Sequence, residues 1–153
     1  MSDNDGFYVI YADGACRDNP GGPMGIGALI INPKGKIVCK LASFVGLGTN
    51  NQAEYLAVIF ALKYARDVGA RRVELRMNSE LVVRQLTGEY RVKNEDLQPL
   101  HQQALKLLRT FKRWRCVHTK REENSRAAKL AKKALDQVES RQRNLARSAD
   151  VVG

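Results

Sequence analysis

The stretch Phe7-Tyr8-Val9-Ile10-Tyr11-Ala12-Asp13-Gly14 decides the fold of this chain. Aromatic and β-branched residues dominate its first six positions, which suits a strand. Asp13-Gly14 closes it with two residues that favour turns. Downstream, a loop from Cys16 to Pro23 leads to a second apolar run, Ile26 to Ile31. Asn32-Pro33-Lys34-Gly35 is a turn, and Lys36 to Val45 is a third strand. Three strands joined by short turns predict an antiparallel meander.

Beyond Gly46-Leu47-Gly48-Thr49 the period of the apolar residues changes. Ala53, Leu56, Ala57, Phe60, Ala61 and Tyr64 recur at spacings of three and four, which predicts a helix over about 52–67. Val73 to Met77 is a fourth strand and Ser79 to Leu86 a short helix. Leu97, Leu100, Ala104, Leu107 or Leu108, and Phe111 mark a second long helix. Arg115 to His118 is a fifth strand, and a last helix runs from about Ser125 into the region 137–147. The order βββ-α-β-α-α-β-α predicts an α/β fold: a five-stranded mixed sheet, three strands antiparallel and the rest parallel, with helices on both faces. One domain is expected over 7–147, with flexible ends at 1–6 and 148–153. Ligands of such sheets bind at the carboxyl ends of the parallel strands. Asp13 and Asn78 each follow directly on a strand, so that edge is the first place to look for a site.

The bulk properties narrow the function. The chain has 153 residues, 44% hydrophobic and 27% charged, the profile of a soluble globular protein. No apolar run reaches the roughly 20 residues of a membrane span, and the acidic, polar first residues are unlike a secretory signal. Cys16, Cys39 and Cys116 are odd in number and far apart, which predicts reduced thiols in a cytoplasmic protein. The net charge of +10 is unevenly placed: residues 1–105 carry 12 Lys/Arg against 11 Asp/Glu, whereas residues 106–147 carry 14 against 4. Such a cationic third is either a solvated helix face or the footprint of a polyanionic partner. The glycines at 21, 22, 25 and 27 match neither nucleotide-binding pattern, GxGxxG or GxxxxGK[ST], so no small-molecule cofactor is expected.

Each polar residue near the predicted edge also has an ordinary reading. Asp13 suits a turn. Asn51 and Glu54 suit a capping box, and Asn78 an N-cap. Ala128 falls on an apolar stripe with Ala131, Leu135 and Val138. The combination points elsewhere. Tyr11-Ala12-Asp13-Gly14-Ala15-Cys16 with Asn19-Pro20-Gly21, then Thr49-Asn50-Asn51-Gln52-Ala53-Glu54-Tyr55, then Met77-Asn78-Ser79-Glu80-Leu81-Val82-Val83 with Gln85 to Tyr90, and finally Arg121-Glu122-Glu123-Asn124 with Ala128-Lys129-Leu130-Ala131, stand in one order. In that order they resemble the four motifs of the type 1 ribonuclease H family, over roughly residues 7–136.

The resemblance implies endonucleolytic hydrolysis of the RNA strand of RNA–DNA hybrids, leaving 5′-phosphate and 3′-hydroxyl ends. It implies two Mg²⁺ ions, or Mn²⁺, held by four acidic residues. Asp13 takes the place of the acid that bridges both metals, and Glu54 that of the second. The third and fourth acidic positions fall on Asn78 and Ala128, which are not acidic. Asn78 keeps an amide oxygen for a metal but not the charge; Ala128 keeps neither. Asn124 has an amide oxygen on the same helix, four residues before Ala128, but the family pattern already has Asn there, so it is a weak replacement. Asn19, Asn50 and Asn51 match positions that contact the hybrid, and Glu80 lies near one that touches the RNA strand. The family's mobile histidine has no counterpart, since Thr119-Lys120-Arg121 is too short for its loop and His118 lies on the strand side. The expected reading is therefore a ribonuclease H-type endoribonuclease, acting as a monomer on RNA–DNA hybrids and impaired in this exact sequence. The alternatives are a hybrid-binding domain without nuclease activity and a general nucleic-acid module built on the basic helix.

Overall fold

Strand β1, Phe7–Cys16, buries alternate residues toward each of its two faces, with Val9 and Ile10 both inaccessible, as a central strand must. The computed structural model describes residues 6–152, with side chains up to Arg147. Residues 1–5 and 153, parts of the expected flexible ends, lie outside the described residues. β2 (Gly22–Ile31) and β3 (Ile37–Gly48) complete the antiparallel meander, while β4 (Arg72–Met77) and β5 (Arg113–His118) add in parallel. The sheet order is β3-β2-β1-β4-β5, so β1 is central and pairs with β4 as expected.

The two long helices occupy opposite faces, and the glycines show why. Paired residues share a face of a sheet, and neighbours along a strand alternate. Gly27 pairs with Asp13 and Gly25 with Ala15. A Cβ on Gly27 would meet the backbone of Ala127 and Ala131, and one on Gly25 would meet Ala131 and Leu135, all in helix α4 (Ser125–Val152). A Cβ on Gly14, one residue along, would instead meet the backbone of Ala53 and Glu54 in helix α1 (Asn50–Asp67). Each helix therefore lies directly on the sheet, and its N-terminal turn reaches the carboxyl edge of β1. Two smaller helices, α2 (Glu80–Leu86) and α3 (Gln98–Leu108), pack on the α1 side. Tyr55 of α1 ties them in: its hydroxyl donates to Gln85 Oε1 at 2.5 Å, and His101 of α3 meets the carbonyl of Gln85 at 3.1 Å.

Three expectations change. β1 does not stop before Asp13 but runs on to Cys16, because β2 continues to pair with it from Asp13↔Gly27 to Cys16↔Met24. Gly14 is thus a strand residue kept small by α1, not a turn residue. Helix α1 is capped by Thr49, not Asn51: the Thr49 side chain accepts from Gln52 N–H, and Gln52 reaches back to Thr49 N–H at 2.9 Å. The last helix continues to Val152, beyond the expected limit near Arg147, and a 3-10 turn over Arg121–Asn124 leads into it.

Candidate active site

Pairing of β1 with β4 runs from Phe7↔Arg72 to Tyr11↔Arg76, and β4 ends at Met77. The same offset carried two residues further sets Asn78 beside Asp13. The N-terminal turns of α1 and α4 close in from the two faces, bringing Glu54 and Ala128 to the same edge. A cleft of about 260 Å³ opens there, lined by Asp13, Gly14, Ala15, Asn50, Glu54, Asn78, Arg121 and Ala128. The four positions singled out by the motifs, far apart in sequence, share one opening.

With Thr49 and Gln52 doing the capping, Glu54 is free to face the cleft. It is 7% exposed and accepts a hydrogen bond from Gly14 N–H at 2.6 Å. Its carboxyl group shares the cleft with that of Asp13. Burial pushes Glu54 up to about 8; the neighbouring Asp13 charge adds to this, and the Gly14 amide opposes it. Burial likewise raises Asp13 to about 6, against the opposing influence of Glu54 and Arg121. Two desolvated carboxyl groups side by side bind protons more tightly than exposed ones. A divalent cation bound by oxygen is what such a pair accepts in exchange.

The opposite wall is built differently. Asn124 is 1% exposed, and its Nδ2 donates both to the Ala12 carbonyl at 2.9 Å and to Asn78 Oδ1 at 2.8 Å. The Ala12 carbonyl can only accept, so it fixes which end of the Asn124 amide faces it. That in turn directs Asn78 Oδ1 toward Asn124 and leaves Asn78 Nδ2 as the amide's unbonded group. Asn124 is therefore an orienter of Asn78. Ser79, not Asn78, caps α2, accepting from Val82 N–H at 3.3 Å. Ala128 is half-buried and lines the cleft, while its neighbour Ala127 is fully buried against the sheet. The core reading of Ala128 is thus corrected: the buried stripe is Ala127, Ala131, Ala134 and Leu135.

The remaining residues divide. Asn50 lines the cleft, and its Oδ1 accepts from Cys16 N–H at 2.9 Å; Asn19 Oδ1 accepts from Asn50 N–H at 3.1 Å. Asn51 is exposed and does not line the cleft. Glu80 also lies outside it, paired with Arg84 at 3.0 Å. His118 meets the Asn78 carbonyl at 3.3 Å and stays at the surface. Sequence reasoning passed over Arg121, which lines the cleft and has no carboxylate partner among the described residues. Its place between the end of β5 and the last helix was the available signal. Among the described residues no group of three His, Cys, Asp or Glu side chains could hold a metal. Asp13 and Glu54 are the two carboxyl groups that line the cleft.

Residues 11–134 match the protein family described as reverse transcriptase-like. The chain is 42% identical over 134 residues to ribonuclease HI of Halobacterium salinarum, covering 88% of this chain and 67% of that protein. The chain belongs to the ribonuclease H family. The crystal structure of RNase H1 from the same halophilic archaeon superposes with a TM-score of 0.83, covering 86% of this chain and 99% of that one. An RNase H1 called LC11, crystallised with an RNA/DNA hybrid, is 39% identical with a TM-score of 0.80, over 86% and 98% of the two chains. The match to a longer bifunctional protein of Mycobacterium tuberculosis, 38% identical, spans 84% of this chain but 35% of that protein. Membership of the ribonuclease H family agrees with the sheet order and with the four motif positions meeting at one edge.

Proposed function

We propose that this chain binds RNA–DNA hybrids across the cleft and that hydrolysis of the RNA strand, the reaction of ribonuclease H enzymes, is severely impaired in it. The observation that carries this reading is Ala128, which faces the opening beside Asp13 and offers no ligand. A two-metal phosphodiester hydrolysis needs one cation to generate the attacking hydroxide and another to stabilise the leaving oxygen. Mg²⁺ takes hard oxygen donors, and two such ions a few ångströms apart need clustered negative charge between them. Asp13 and Glu54 would hold one Mg²⁺ or Mn²⁺. Asn78 is neutral, and its oxygen already accepts from Asn124.

What the chain's own residues retain is the ability to hold a duplex. Asn50 lines the cleft and Asn19 is bonded to its backbone N–H; the Oδ1 of each amide accepts from a backbone N–H, and their Nδ2 groups are donors suited to 2′-hydroxyls and sugar oxygens. The second reading, a hybrid-binding domain with no nuclease activity, is favoured by the Asn78–Asn124 bond and differs from the first only in residual rate. The protein is taken to act as a monomer in the cytoplasm without a small-molecule cofactor. The deciding experiment measures hybrid cleavage with Mg²⁺ and with Mn²⁺ by this chain and by the double variant Asn78→Asp, Ala128→Asp. Turnover by the unaltered chain equal to that of the double variant would refute the impairment.

A further inference from the structure

The replacement of two acids does more than remove metal ligands, because the residues now present have their own chemistry. Asn78 is held from several directions. Its Oδ1 accepts from Asn124, its backbone carbonyl meets His118, and the preceding carbonyl, Met77 O, accepts from Thr119 N–H at 2.8 Å. The Asn124 amide that orients it is fully buried and is itself oriented by the Ala12 carbonyl. Among the described residues Asn78 Nδ2 has no hydrogen-bond partner; it is a pure donor on a residue that lines the cleft. Arg121 lines the same cleft and carries a guanidinium that no carboxylate engages among the described residues. An amide N–H and a guanidinium around one opening suit a phosphate, which accepts and is anionic.

Charge agrees with this. Four acids would give the cleft wall a formal charge of −4, reduced to −3 by Arg121, and a phosphodiester could approach only with cations in place. With Asn78 and Ala128 the same count gives −2 from Asp13 and Glu54, reduced to −1 by Arg121. Both positions line the opening that Arg121 also lines.

We infer that Asn78 Nδ2 and Arg121 form a subsite for a backbone phosphate of the hybrid, so that the chain binds nucleic acid without a divalent cation. The inference rests on the hybrid-binding reading and deepens it: protein donors take over the anchoring that metal ions would otherwise provide. It assigns Asn78 a role opposite to that of an acid at the same position, which would repel the phosphate until a metal arrived.

The test is fluorescence anisotropy with a labelled RNA–DNA hybrid, in EDTA and in Mg²⁺ at matched ionic strength. The unaltered chain should bind equally in the two conditions, within about twofold. Asn78→Asp should weaken binding in EDTA by about tenfold or more and recover in Mg²⁺, a change on the scale of one charge-assisted hydrogen bond. Arg121→Gln should weaken it about tenfold in both conditions. Asn78→Ala, which removes the donor without adding charge, should weaken it about threefold in both, with far-UV circular dichroism showing that each variant is folded. Binding by the unaltered chain that needs Mg²⁺ would overturn the inference and leave the hybrid-binding reading intact. So would Asn78→Ala and Arg121→Gln variants that bind like the parent. No binding at low salt in either condition would remove the hybrid-binding reading, and the inference with it.

Discussion

On one wall of the cleft, β1 and the first turns of α1 bring Asp13 and Glu54 to one opening. On the other, the end of β4 and the first turn of α4 bring Asn78 and Ala128 to the same opening. The backbones of the two walls are built with equal care: Gly14 admits α1 on one face, and Gly25 and Gly27 admit α4 on the other. The side chains diverge. One wall keeps two carboxyl groups whose pKa values burial drives upward, a costly arrangement without a cation. The other carries no carboxyl group, and Asn124 holds Asn78 in place. The difference teaches that the scaffold of the cleft does not depend on the acids it positions. Helix α4 is seated by Ala127, Ala131 and Leu135, so position 128 can change its chemistry without moving the helix.

The largest expected effect comes from making the walls alike. Asn78→Asp with Ala128→Asp should raise Mg²⁺-dependent hybrid cleavage by about a thousandfold or more, the scale of electrostatic stabilisation at a reacting phosphate. The same variant should be less stable than the parent without metal, by about 1–3 kcal/mol, because four acids then crowd one desolvated site. Added Mg²⁺ should recover that loss through binding to the native state alone. Thermal melts with and without Mg²⁺ check the second half. A double variant that is as stable as the parent in EDTA, and as inactive in Mg²⁺, would break the comparison.

Next in size is the bond that orders the neutral wall. Asn124→Ala removes the donor from both the Ala12 carbonyl and Asn78 Oδ1 and should cost about 1–3 kcal/mol. Asn124 Oδ1 is itself buried without a partner, and its removal offsets part of that cost. Denaturant unfolding measures the total. Asn124→Ala should also release Asn78 and lower hybrid affinity, an effect that simple loss of packing on the far side of the domain would not produce.

How much of this was legible beforehand follows from which interactions are local. Strand and helix periods, the βββ-α-β order and the four motif positions are written in short windows, and they placed Asp13, Glu54, Asn78 and Ala128 at one edge. The Asn78–Asn124 bond joins residues 46 apart and depends on a backbone carbonyl of a third element, so no window contains it. Ala127 and Ala128 are adjacent and chemically identical; only Gly27 on the sheet decides which one is buried. Thr49-Asn50-Asn51 offers three possible caps in succession, and Gln52 and Glu54 each stand three residues after one of them. Tertiary contact with Gly14 claims Glu54, and the cap falls to Thr49.

A third prediction contrasts two buried carboxylates. Glu74, in the middle of β4, faces the side of the sheet that β4 and β5 leave uncovered by α4. It pairs with Arg115 and Arg76, each at 2.5 Å. Burial alone would raise its pKa, but the two arginines outweigh burial and hold it below the ordinary value of 4.5. A carboxylate depressed in the folded state contributes stability above its unfolded value, and that contribution is lost as pH falls through the folded one. Glu74→Gln should therefore lower stability at neutral pH by about 1–3 kcal/mol and flatten the decline below about pH 4.5. Melting curves between pH 3 and 7 test this. A parallel shift of the two profiles would mean that the ion pairs do not govern the acid limb.

The smallest effect separates the cleft from the outer face of α4, which carries much of the chain's excess charge. From Ser125 to Arg147 the helix holds seven Lys/Arg and two acids. Both acids, Asp136 and Glu139, are engaged by Arg17 from the neighbouring loop, and Asp136 also by Lys132. Arg126, Lys129 and Lys133 recur at helical spacing away from them. With Lys40, Leu29 and Leu130 they line a shallow groove whose cations have no acid partner among the described residues. Lys129 adjoins Ala128 in sequence, so this groove begins beside the cleft. Cations of this kind displace counterions from phosphates and carry no information about which strand is RNA. Lys129→Ala with Lys133→Ala should therefore reduce the slope of log affinity against log salt by about one to two units, at roughly 0.9 per phosphate contact. Affinity at low salt should fall only a few-fold, and by the same factor for RNA–DNA hybrid and for duplex DNA. Anisotropy titrations from low to moderate salt on both duplexes distinguish the outcomes. If the double variant lost affinity for hybrid alone, α4 would be part of hybrid recognition and the division between cleft and outer face would fail. If its salt slope were unchanged, the phosphates would be met elsewhere, with Arg121 and the cleft the first region to test.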